Sequence, residues 1–361
     1  MQLAEIVTLR PRPAAGLLVT LTRRCPLSCA HCSTSSGPRG EDTPAGALRR
    51  FVGGFTPGDR PELLMLTGGE PLLRPGLVAG LAASARRAGT RTAVLSGMFF
   101  AAEDGRVPGR ILRAVAAVDH FSASVDAFHE HEVPRRSVFR ALHRIMDAGV
   151  VVSLHVVGRG PLDPYLAEVT AAVRAEFRDR VPMLVNEIRP VGRAAGWADW
   201  AGSAATAPSG GPADARPAPC TMAAWPVVAF DGTVLACCNQ RAVDLRPAPA
   251  HLRLGHIEHD DWSAVRRRCL DSPVLRTLRT AGPPPGPGGA CARCRALDGD
   301  PGRLAEAHHG GSGPAAPLLD VLSARAQQAA GPVALLRRYG SARYAPLVLL
   351  GCHEPPGAGT P

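Results

Sequence analysis

Lysine is absent from this sequence: all 41 basic residues are arginine, and against 31 acidic residues they give a formal charge of +10. Aromatic residues are also few, at 4% of the chain. A nucleic-acid-binding face would cluster cationic with aromatic side chains, whereas these arginines are scattered among acidic residues. The abundance of Ala, Gly, Pro and Arg indicates the codon bias of a GC-rich genome. We therefore expect no nucleic-acid partner despite the positive charge.

Long apolar runs are absent as well. The first 24 residues contain no stretch that could serve as a signal peptide, and the longest apolar runs, such as residues 344–350, are too short to cross a bilayer. We therefore expect a soluble, cytoplasmic protein without a membrane partner. In a reducing cytoplasm the ten cysteines stay reduced, and their clustering favours metal binding over disulfides.

Short apolar runs alternate with helical patterns through the first half of the chain. The 361 residues, 45% of them apolar, suffice for a large α/β unit and a smaller appendage. Six runs are typical of strands: residues 17–21, 63–67, 92–96, 121–125, 150–157 and 183–187. The helical patterns between them cover residues 45–51, 76–88, 110–118, 138–148 and 163–177. This alternation predicts an α/β fold with a partial (β/α)6 TIM-like barrel, whose chemistry lies in the loops after the strands' C-terminal ends.

The composition changes after the barrel region. We expect four parts: a barrel at 1–196, a Pro/Gly/Ala-rich linker at 197–219, a small Cys-rich domain at 220–298 and a tail of unknown role at 299–361. Within the third part, Asp231-Gly232 predicts a hairpin turn, and residues 262–280 read as one helical segment. The tail has two Gly/Pro-rich breaks and room for one or two helices.

Cys25, Cys29 and Cys32 form the pattern C-x3-C-x2-C directly after the first predicted strand. Three thiolates on one tight loop can bind three irons of a [4Fe–4S] cluster and leave the fourth iron open to an exogenous chelator. The alternative is a structural zinc knuckle with His31 as the fourth ligand. A closed tetrahedron is awkward there, because His31 lies between two of the cysteines.

The cysteine pattern resembles the signature of the radical S-adenosylmethionine (SAM) superfamily, in which the open iron binds the amino and carboxylate groups of SAM. His31 stands where that family usually has an aromatic residue. The second family motif follows one βα unit later, where a buried strand ends in Gly68-Gly69-Glu70-Pro71. Paired glycines let the backbone approach a ligand closely, and Glu70 can accept a hydrogen bond from an ammonium. An ordinary strand-end turn is the alternative for this motif alone.

Further polar residues end the third and fourth predicted strands. Ser96 closes the third, where the resemblance implies a polar turn near the methionine end of SAM. Ser124 and Asp126 close the fourth, where it implies groups that bind the ribose hydroxyls; two residues apart on a strand, both can face one site. A solvated strand-end turn is the alternative for each. His129 is either a catalytic acid/base or a structural histidine linked to Asp126.

Residues 186–194 resemble the P-x-G-R-A segment that is common before auxiliary-cluster domains. Arg189 in this segment would lie at the barrel mouth, after the sixth strand. A permanently cationic guanidinium there could bind a substrate carboxylate or take part in proton removal, which makes Arg189 the candidate catalytic residue. The alternative is an ion pair with Glu187 or another surface acid.

A second set of four cysteines stands in the C-terminal half: Cys220, Cys237, Cys291 and Cys294. The hairpin and the C-x2-C pair can bring them to one site. The arrangement resembles the twitch domain, a shorter relative of SPASM that carries one auxiliary [4Fe–4S] cluster. The G-x4-C spacing favours Cys237 over the adjacent Cys238 as the ligand. A four-cysteine zinc ribbon is the alternative, and Cys269 and Cys352 have no patterned partner.

The resemblance implies a radical SAM oxidoreductase or maturase. Reductive cleavage of SAM would yield a 5′-deoxyadenosyl radical that abstracts hydrogen from a substrate C–H, the electron coming from a reductant such as flavodoxin or ferredoxin. With an auxiliary cluster accepting a second electron, we expect net oxidation of a peptide in RiPP-like natural-product maturation. The alternatives are modification of a small polar metabolite, such as an aminocyclitol or amino sugar, and a non-enzymatic metal-binding regulator or scaffold. About fifteen residues precede the barrel, too few for a leader-peptide recognition domain at that end.

Overall fold

Nine strands form the sheet on which the fold is built. The computed structural model describes residues 1–197, 219–286 and 289–352. The strands are β1 Gly16–Thr20, β2 Leu63–Thr67, β3 Arg91–Ser96, β4 His120–Val125, β5 Val152–Gly158, β6 Met183–Glu187, β7 Val227–Val228, β8 Thr233–Leu235 and β9 Arg253–His256. They lie side by side in the order β6-β5-β4-β3-β2-β1-β7-β8-β9.

Fourteen α-helices surround the sheet in the described part of the chain. They are α1 Leu3–Leu9, α2 Ala45–Gly53, α3 Pro75–Arg87, α4 Gly109–Val115, α5 Ala127–Glu130, α6 Arg135–Asp147, α7 Pro164–Phe177, α8 Gln240–Val243, α9 Trp262–Asp271, α10 Pro273–Thr280, α11 Ala290–Ala296, α12 Pro301–Gly310, α13 Ala316–Ala329 and α14 Gly331–Tyr339. None of these described helices has both the length and the apolar character that a membrane span requires.

Strands β1–β6 are all parallel, and each pairs with its neighbour in the chain. At least one helix connects each successive pair, from α2 after β1 to α7 before β6. The strands are buried on both faces because helices cover one face and the barrel interior lies on the other; Leu17, Val19, Leu64 and Leu66 are fully inaccessible to solvent. The predicted partial (β/α)6 barrel is therefore confirmed, and the carboxyl ends of its six strands meet at one mouth.

The C-terminal half extends the same sheet. Strand β7 pairs in parallel with β1, with Leu18 in register with Val227, and β8 and β9 follow in antiparallel orientation. The hairpin turn falls at Asp231-Gly232 as predicted, and Gly232 has φ +93°, which a glycine adopts without strain. Most of the predicted linker, residues 198–218, lies outside the described residues.

Two expectations about helices were wrong. The segment 262–280 is two helices, α9 and α10, because Pro273 cannot continue the hydrogen bonding of α9. Ser272 caps the new helix, its hydroxyl accepting from the Leu275 amide at 3.3 Å. The tail contains three helices, α12 to α14, where one or two were expected. Strand β9 and helix α1 were not expected at all.

The tail packs into the body of the protein. Arg279 of α10 and Asp320 of α13 form an ion pair with 3% and 7% of their side chains exposed, at 2.6 Å from Nη2 to Oδ2 and 2.9 Å from Nε to Oδ1. Arg279 also donates to the carbonyl oxygen of Cys269 at 3.1 Å. At the open edge of the barrel, the Ser341 amide donates to the carbonyl oxygen of Val185 in β6 at 3.0 Å.

Candidate functional site

The first cysteine set lies on the loop that leaves β1 at the barrel mouth. The Cys25 amide donates to the Gly37 carbonyl oxygen at 2.7 Å, and the Cys32 amide to the Cys29 carbonyl oxygen at 3.1 Å. All three thiols are free. Burial raises the pKa of Cys25 to about 12. At Cys32 burial is outweighed by hydrogen bonds from Thr34 and Ser36 and by the charge of Arg193, so the pKa of this thiol is lowered.

A turn after β6, Gly192–Gly196, holds this loop from the far side of the barrel. Arg193 donates from Nε to the Cys29 carbonyl oxygen at 2.8 Å and from Nη1 to the Ser36 carbonyl oxygen at 2.5 Å. Its amide donates to the Cys32 carbonyl oxygen at 3.0 Å. Gly192 has φ +58°, and a Cβ there would lie 2.2 Å from that same Cys32 oxygen. Sequence reasoning missed both residues, although they belong to the P-x-G-R-A segment.

The paired glycines at the end of β2 bring that strand against the start of the cysteine loop. Gly68 has φ +149°, and a Cβ there would lie 2.4 Å from the Thr22 carbonyl oxygen. A Cβ at Gly69 would lie 2.4 Å from the Arg24 carbonyl oxygen. The Gly69 amide donates to Thr22 at 2.6 Å, and the Glu70 amide to Arg24 at 2.8 Å. The glycines thus allow a close contact between backbone and backbone, next to Cys25.

Glu70 and Ser96 lie together, bonded to each other. The Ser96 hydroxyl donates to Glu70 at 3.0 Å, the Gly97 amide at 2.9 Å, and the Leu72 amide at 2.9 Å. The Glu70 side chain is wholly buried. Burial raises the pKa of Glu70 to about 7 in spite of these hydrogen bonds, so the carboxyl group gains or loses its proton near neutral pH.

Asp126, at the end of β4, is bonded to two histidines. One carboxylate oxygen accepts from the Phe128 and His129 amides at 2.9 Å; the other lies 2.5 Å from His129 Nδ1 and 3.2 Å from His31 Nε2. Burial acts against ionisation, but these imidazoles outweigh it and hold the pKa of Asp126 well below its usual range. At His129 burial alone would lower the pKa. The hydrogen bonds and charges of Asp126 and Cys29 outweigh burial and raise the pKa of His129 to about 10. His31 Nδ1 is buried without a partner among the described residues.

Ser124 lies two residues before Asp126, half-buried, in register with His155 of β5. Beyond the ends of β4 and β5 is a cavity of about 210 Å³ with aromatic walls formed by Phe128, His131 and Tyr165. Sequence reasoning did not identify this cavity. The signal available was the cluster of aromatic residues shortly after two neighbouring strands.

The second cysteine set belongs to the C-terminal half of the chain, beside strands β7 to β9. The pKa of Cys237 lies well above its usual value because the thiol is buried and because the neighbouring thiols of Cys238, Cys220 and Cys294 disfavour its charge. Burial and the thiols of Cys220 and Cys291 raise the pKa of Cys294 to about 12. The thiols of Cys220, Cys237, Cys291 and Cys294 are free, and the pKa shifts link Cys220 with Cys237, Cys291 and Cys294.

The two adjacent cysteines point to different surroundings. Cys237 packs against the main core and accepts from the Asn239 amide at 3.4 Å. Cys238 packs in a separate small apolar cluster, with Sγ 2.9 Å from Arg10 Nη2 and 3.7 Å from Met222 Sδ. Both thiols lie close to the second set, but Cys238 already has a cationic partner.

Three further residues singled out in the sequence are Arg189, Cys269 and Cys352. Arg189 is exposed and donates to the Tyr339 carbonyl oxygen of α14 at 3.2 Å; within the described residues it makes no ion pair with Glu187. Cys269, in α9, is buried beside Arg279, and Cys352 is exposed near the end of the described chain.

Residues 19–171 match the family model of the radical SAM superfamily. This stretch runs from β1 into α7 and contains the first cysteine set, the Gly-Gly-Glu-Pro turn and Asp126. Residues 19–171 are therefore a radical SAM domain. Such domains bind SAM and a [4Fe–4S] cluster and belong to enzymes. No curated protein matches the chain.

Several solved structures are similar to this chain at low identity. SuiB of Streptococcus suis bound to the precursor peptide SuiA matches with a TM-score of 0.48 and 13% identity over 80% of this chain and 71% of SuiB. The protein anSMEcpe with bound AdoMet matches with 0.46 and 13% over 69% and 79%. BtrN in complex with AdoMet and 2-DOIA matches with 0.37 and 13% over 74% and 87%. At TM-scores below 0.5 these likenesses indicate neither substrate nor reaction.

Proposed function

We propose that this protein is a radical SAM oxidoreductase with an auxiliary [4Fe–4S] cluster, and that it carries out a net oxidative modification of a peptide. The observation that carries the proposal is that backbone contacts hold the Cys25–Cys29–Cys32 loop at both of its ends. The glycine turn after β2 holds its start, and Gly192 and Arg193 after β6 hold its end. Both contacts come from carboxyl ends of barrel strands, where this fold places its chemistry.

The first cysteine set suits a cluster better than a structural zinc ion. Thiolates are the ligands that iron–sulfur clusters use, whereas a zinc knuckle needs a fourth protein ligand. His31 is the candidate within the motif, but it would have to bind through Nδ1, because its Nε2 faces Asp126 and its ring stacks on Phe128 at 4.7 Å. Three thiols on a fastened loop, with no fourth cysteine of this set, leave one coordination position for SAM.

With the cluster and SAM bound, reductive cleavage of SAM supplies a 5′-deoxyadenosyl radical that abstracts hydrogen from a substrate C–H. The protein's own residues position and enclose these groups. Glu70 can accept from the ammonium of SAM, and Ser96 fixes the orientation of its carboxylate. Ser124 and Asp126 would meet the ribose, and the adenine ring would pack in the aromatic cavity formed by Phe128, His131 and Tyr165.

The second cysteine set would hold the auxiliary cluster. The pKa values of Cys220, Cys237 and Cys294 are each raised in part by other thiols of this set, which supports a shared metal site. A site of this kind could accept the second electron of a net oxidation. His251 Nε2 lies 3.7 Å from Cys294 Sγ and could donate to that sulfur.

Anaerobic reconstitution tests the proposal. We expect the reduced enzyme to form 5′-deoxyadenosine, and Cys29→Ala to abolish both its formation and the binding of the first cluster. A peptide substrate should then lose the mass of two hydrogen atoms. A protein that takes up stoichiometric zinc and no iron would contradict the proposal outright, whereas 5′-deoxyadenosine without peptide oxidation would contradict only the substrate.

A further inference from the structure

A surface groove of about 380 Å³ opens beside the turn that fastens the cysteine loop. Its walls are Gly192, Arg241, Asp244, Leu245 and Arg295. We call it the basic groove. Arg241 and Asp244 lie in and just after α8, and Arg295 lies in α11. It thus lies between the end of the radical SAM barrel and the second cysteine set.

The groove carries positive charge that the described residues do not cancel. Arg241 donates from Nη2 to the Pro190 carbonyl oxygen at 2.7 Å. Because a carbonyl oxygen carries no formal charge, this bond does not neutralise the guanidinium. The Arg295 side chain makes no ion pair or hydrogen bond with any part of the chain that the structure describes. The one acid in the wall, Asp244, is already paired with Arg23 at 2.5 Å. An anionic surface is therefore attracted to this groove.

The walls of the groove come from segments that adjoin the first cysteine set in space and the second in sequence. The backbone of Gly192 contacts the Cys32 carbonyl, since a Cβ at Gly192 would lie 2.2 Å from that oxygen. On the opposite wall Arg295 directly follows Cys294, and Cys291, one turn earlier in α11, is exposed. A molecule bound in the groove would be next to segments that carry ligands of each set.

Leu245 adds an apolar contact to this cationic rim. Its side chain is 42% exposed, one of few large apolar residues exposed to that degree in the described chain. Small interfaces that join complementary charges to a modest apolar contact are typical of transient electron-transfer complexes. Charge complementarity gives such encounters fast association and rapid release, which a reductant needs between turnovers.

We propose that the basic groove is the docking site of an acidic one-electron carrier of the flavodoxin or ferredoxin kind. The proposal rests on the proposed function, which requires one electron for each SAM cleavage. With flavodoxin, the hydroquinone gives up one electron and becomes the semiquinone, and the enzyme is reduced by that one electron. The structure assigns this entry point by charge, by its apolar contact and by its position beside both cysteine sets.

Binding of oxidised flavodoxin, measured by isothermal titration calorimetry, tests the docking site without any turnover. The double variant Arg241→Gln/Arg295→Gln should weaken the dissociation constant at least tenfold and reduce its dependence on salt. Arg113→Gln/Arg325→Gln removes the same charge from two exposed helical positions elsewhere and should bind within twofold of wild type. Equal losses in the two variants, or wild-type binding by the groove variant, would overturn the proposal.

A second measurement separates docking from the enzyme's chemistry. Stopped-flow oxidation of flavodoxin hydroquinone should slow in the groove variant, while dithionite, which needs no docking surface, should still drive 5′-deoxyadenosine formation at the wild-type rate. An unchanged flavodoxin rate would refute the docking site and leave the proposed function intact. Wild-type enzyme that makes no 5′-deoxyadenosine with dithionite would instead refute the proposed function.

Discussion

The guanidinium of Arg193 donates to the carbonyl oxygen of Cys29 at 2.8 Å, across 164 residues of chain. The segment after the last barrel strand therefore fixes the loop after the first. Because the hydrogen bonds end on backbone carbonyls, this contact orients the loop and leaves the cysteine sulfurs free for metal. The geometry of the first cysteine set depends on both ends of the barrel sequence.

Replacing Gly192 by alanine should damage this fastening. The new Cβ would meet the Cys32 carbonyl oxygen at 2.2 Å, and φ +58° is strained for alanine. We expect Gly192→Ala to bind less iron after reconstitution and to form at least tenfold less 5′-deoxyadenosine. Gly196→Ala, four residues later with open space around its Cβ, is the matched control and should behave as wild type. Similar losses in both variants would show that the segment tolerates no change and that Gly192 has no special role.

The adjacent cysteines of the second set can be told apart by iron content. Wild type should hold about eight irons in two cubanes, and Cys237→Ser about four. Cys238→Ser should keep about eight, because that thiol already contacts Arg10. Colorimetric iron analysis after anaerobic reconstitution distinguishes the two. The reverse result would exchange the ligand assignment; about eight irons in Cys291→Ser/Cys294→Ser would remove the auxiliary cluster from the proposal.

Glu70 should make stability depend on pH. The pKa of Glu70 rises from 4.5 to about 7 on folding. Between pH 4.5 and about 7 the folded state therefore keeps a proton that the unfolded state has lost. The stabilisation is complete below pH 4.5 and disappears as pH rises through about 7, a loss of about 3 kcal/mol. Urea unfolding of the metal-free protein between pH 5 and 8 should show this slope, which Glu70→Gln flattens. Exposed Glu103→Gln should keep the wild-type slope; a flat wild-type profile would contradict the assignment.

The ion pair between α10 and α13 should be essential to stability. Asp320→Ala leaves the Arg279 cation buried without a partner, and we expect a loss of about 3–5 kcal/mol in the free energy of unfolding. Arg279→Met/Asp320→Leu should recover most of that loss. In the control Asp271→Ala, an exposed pair with Arg276 is broken, at a cost under about 1 kcal/mol. An Asp320→Ala protein as stable as wild type would show that this ion pair does not contribute to stability.

The strands and helices of the barrel could be predicted from the sequence because each has a characteristic spacing of apolar residues. The six barrel strands and the turn at Asp231-Gly232 occur where their patterns indicated, with ends that differ by a residue or two. The break between α9 and α10 was also readable, since Ser272-Pro273 is a helix-start signal. It was missed because the apolar pattern continues across the break.

The details of the site were less accessible, since they depend on residues far apart in the chain. Ser96 and Glu70 were expected at one mouth, but nothing in either motif shows that they bond to each other. His31 reaches Asp126 across 95 positions, so its role could not be inferred from its place between two cysteines. Arg193 acts through carbonyl oxygens, which every residue has, so its place in the P-x-G-R-A segment did not show which residues it contacts.

The antiparallel return of β8 along β7 also determines the distance between the loops that carry the two cysteine sets. The first cysteine set follows the carboxyl end of β1, whereas β8 runs in the opposite direction, so that Cys237 emerges towards the other end of the same stack of strands. Strands in register cannot slide past one another without breaking their hydrogen bonds. The spacing between the two cysteine-bearing loops is therefore counted in strand residues, at about 3.3 Å each. Inserting two residues in β8 would shift Cys237 by about 7 Å relative to the first cysteine set.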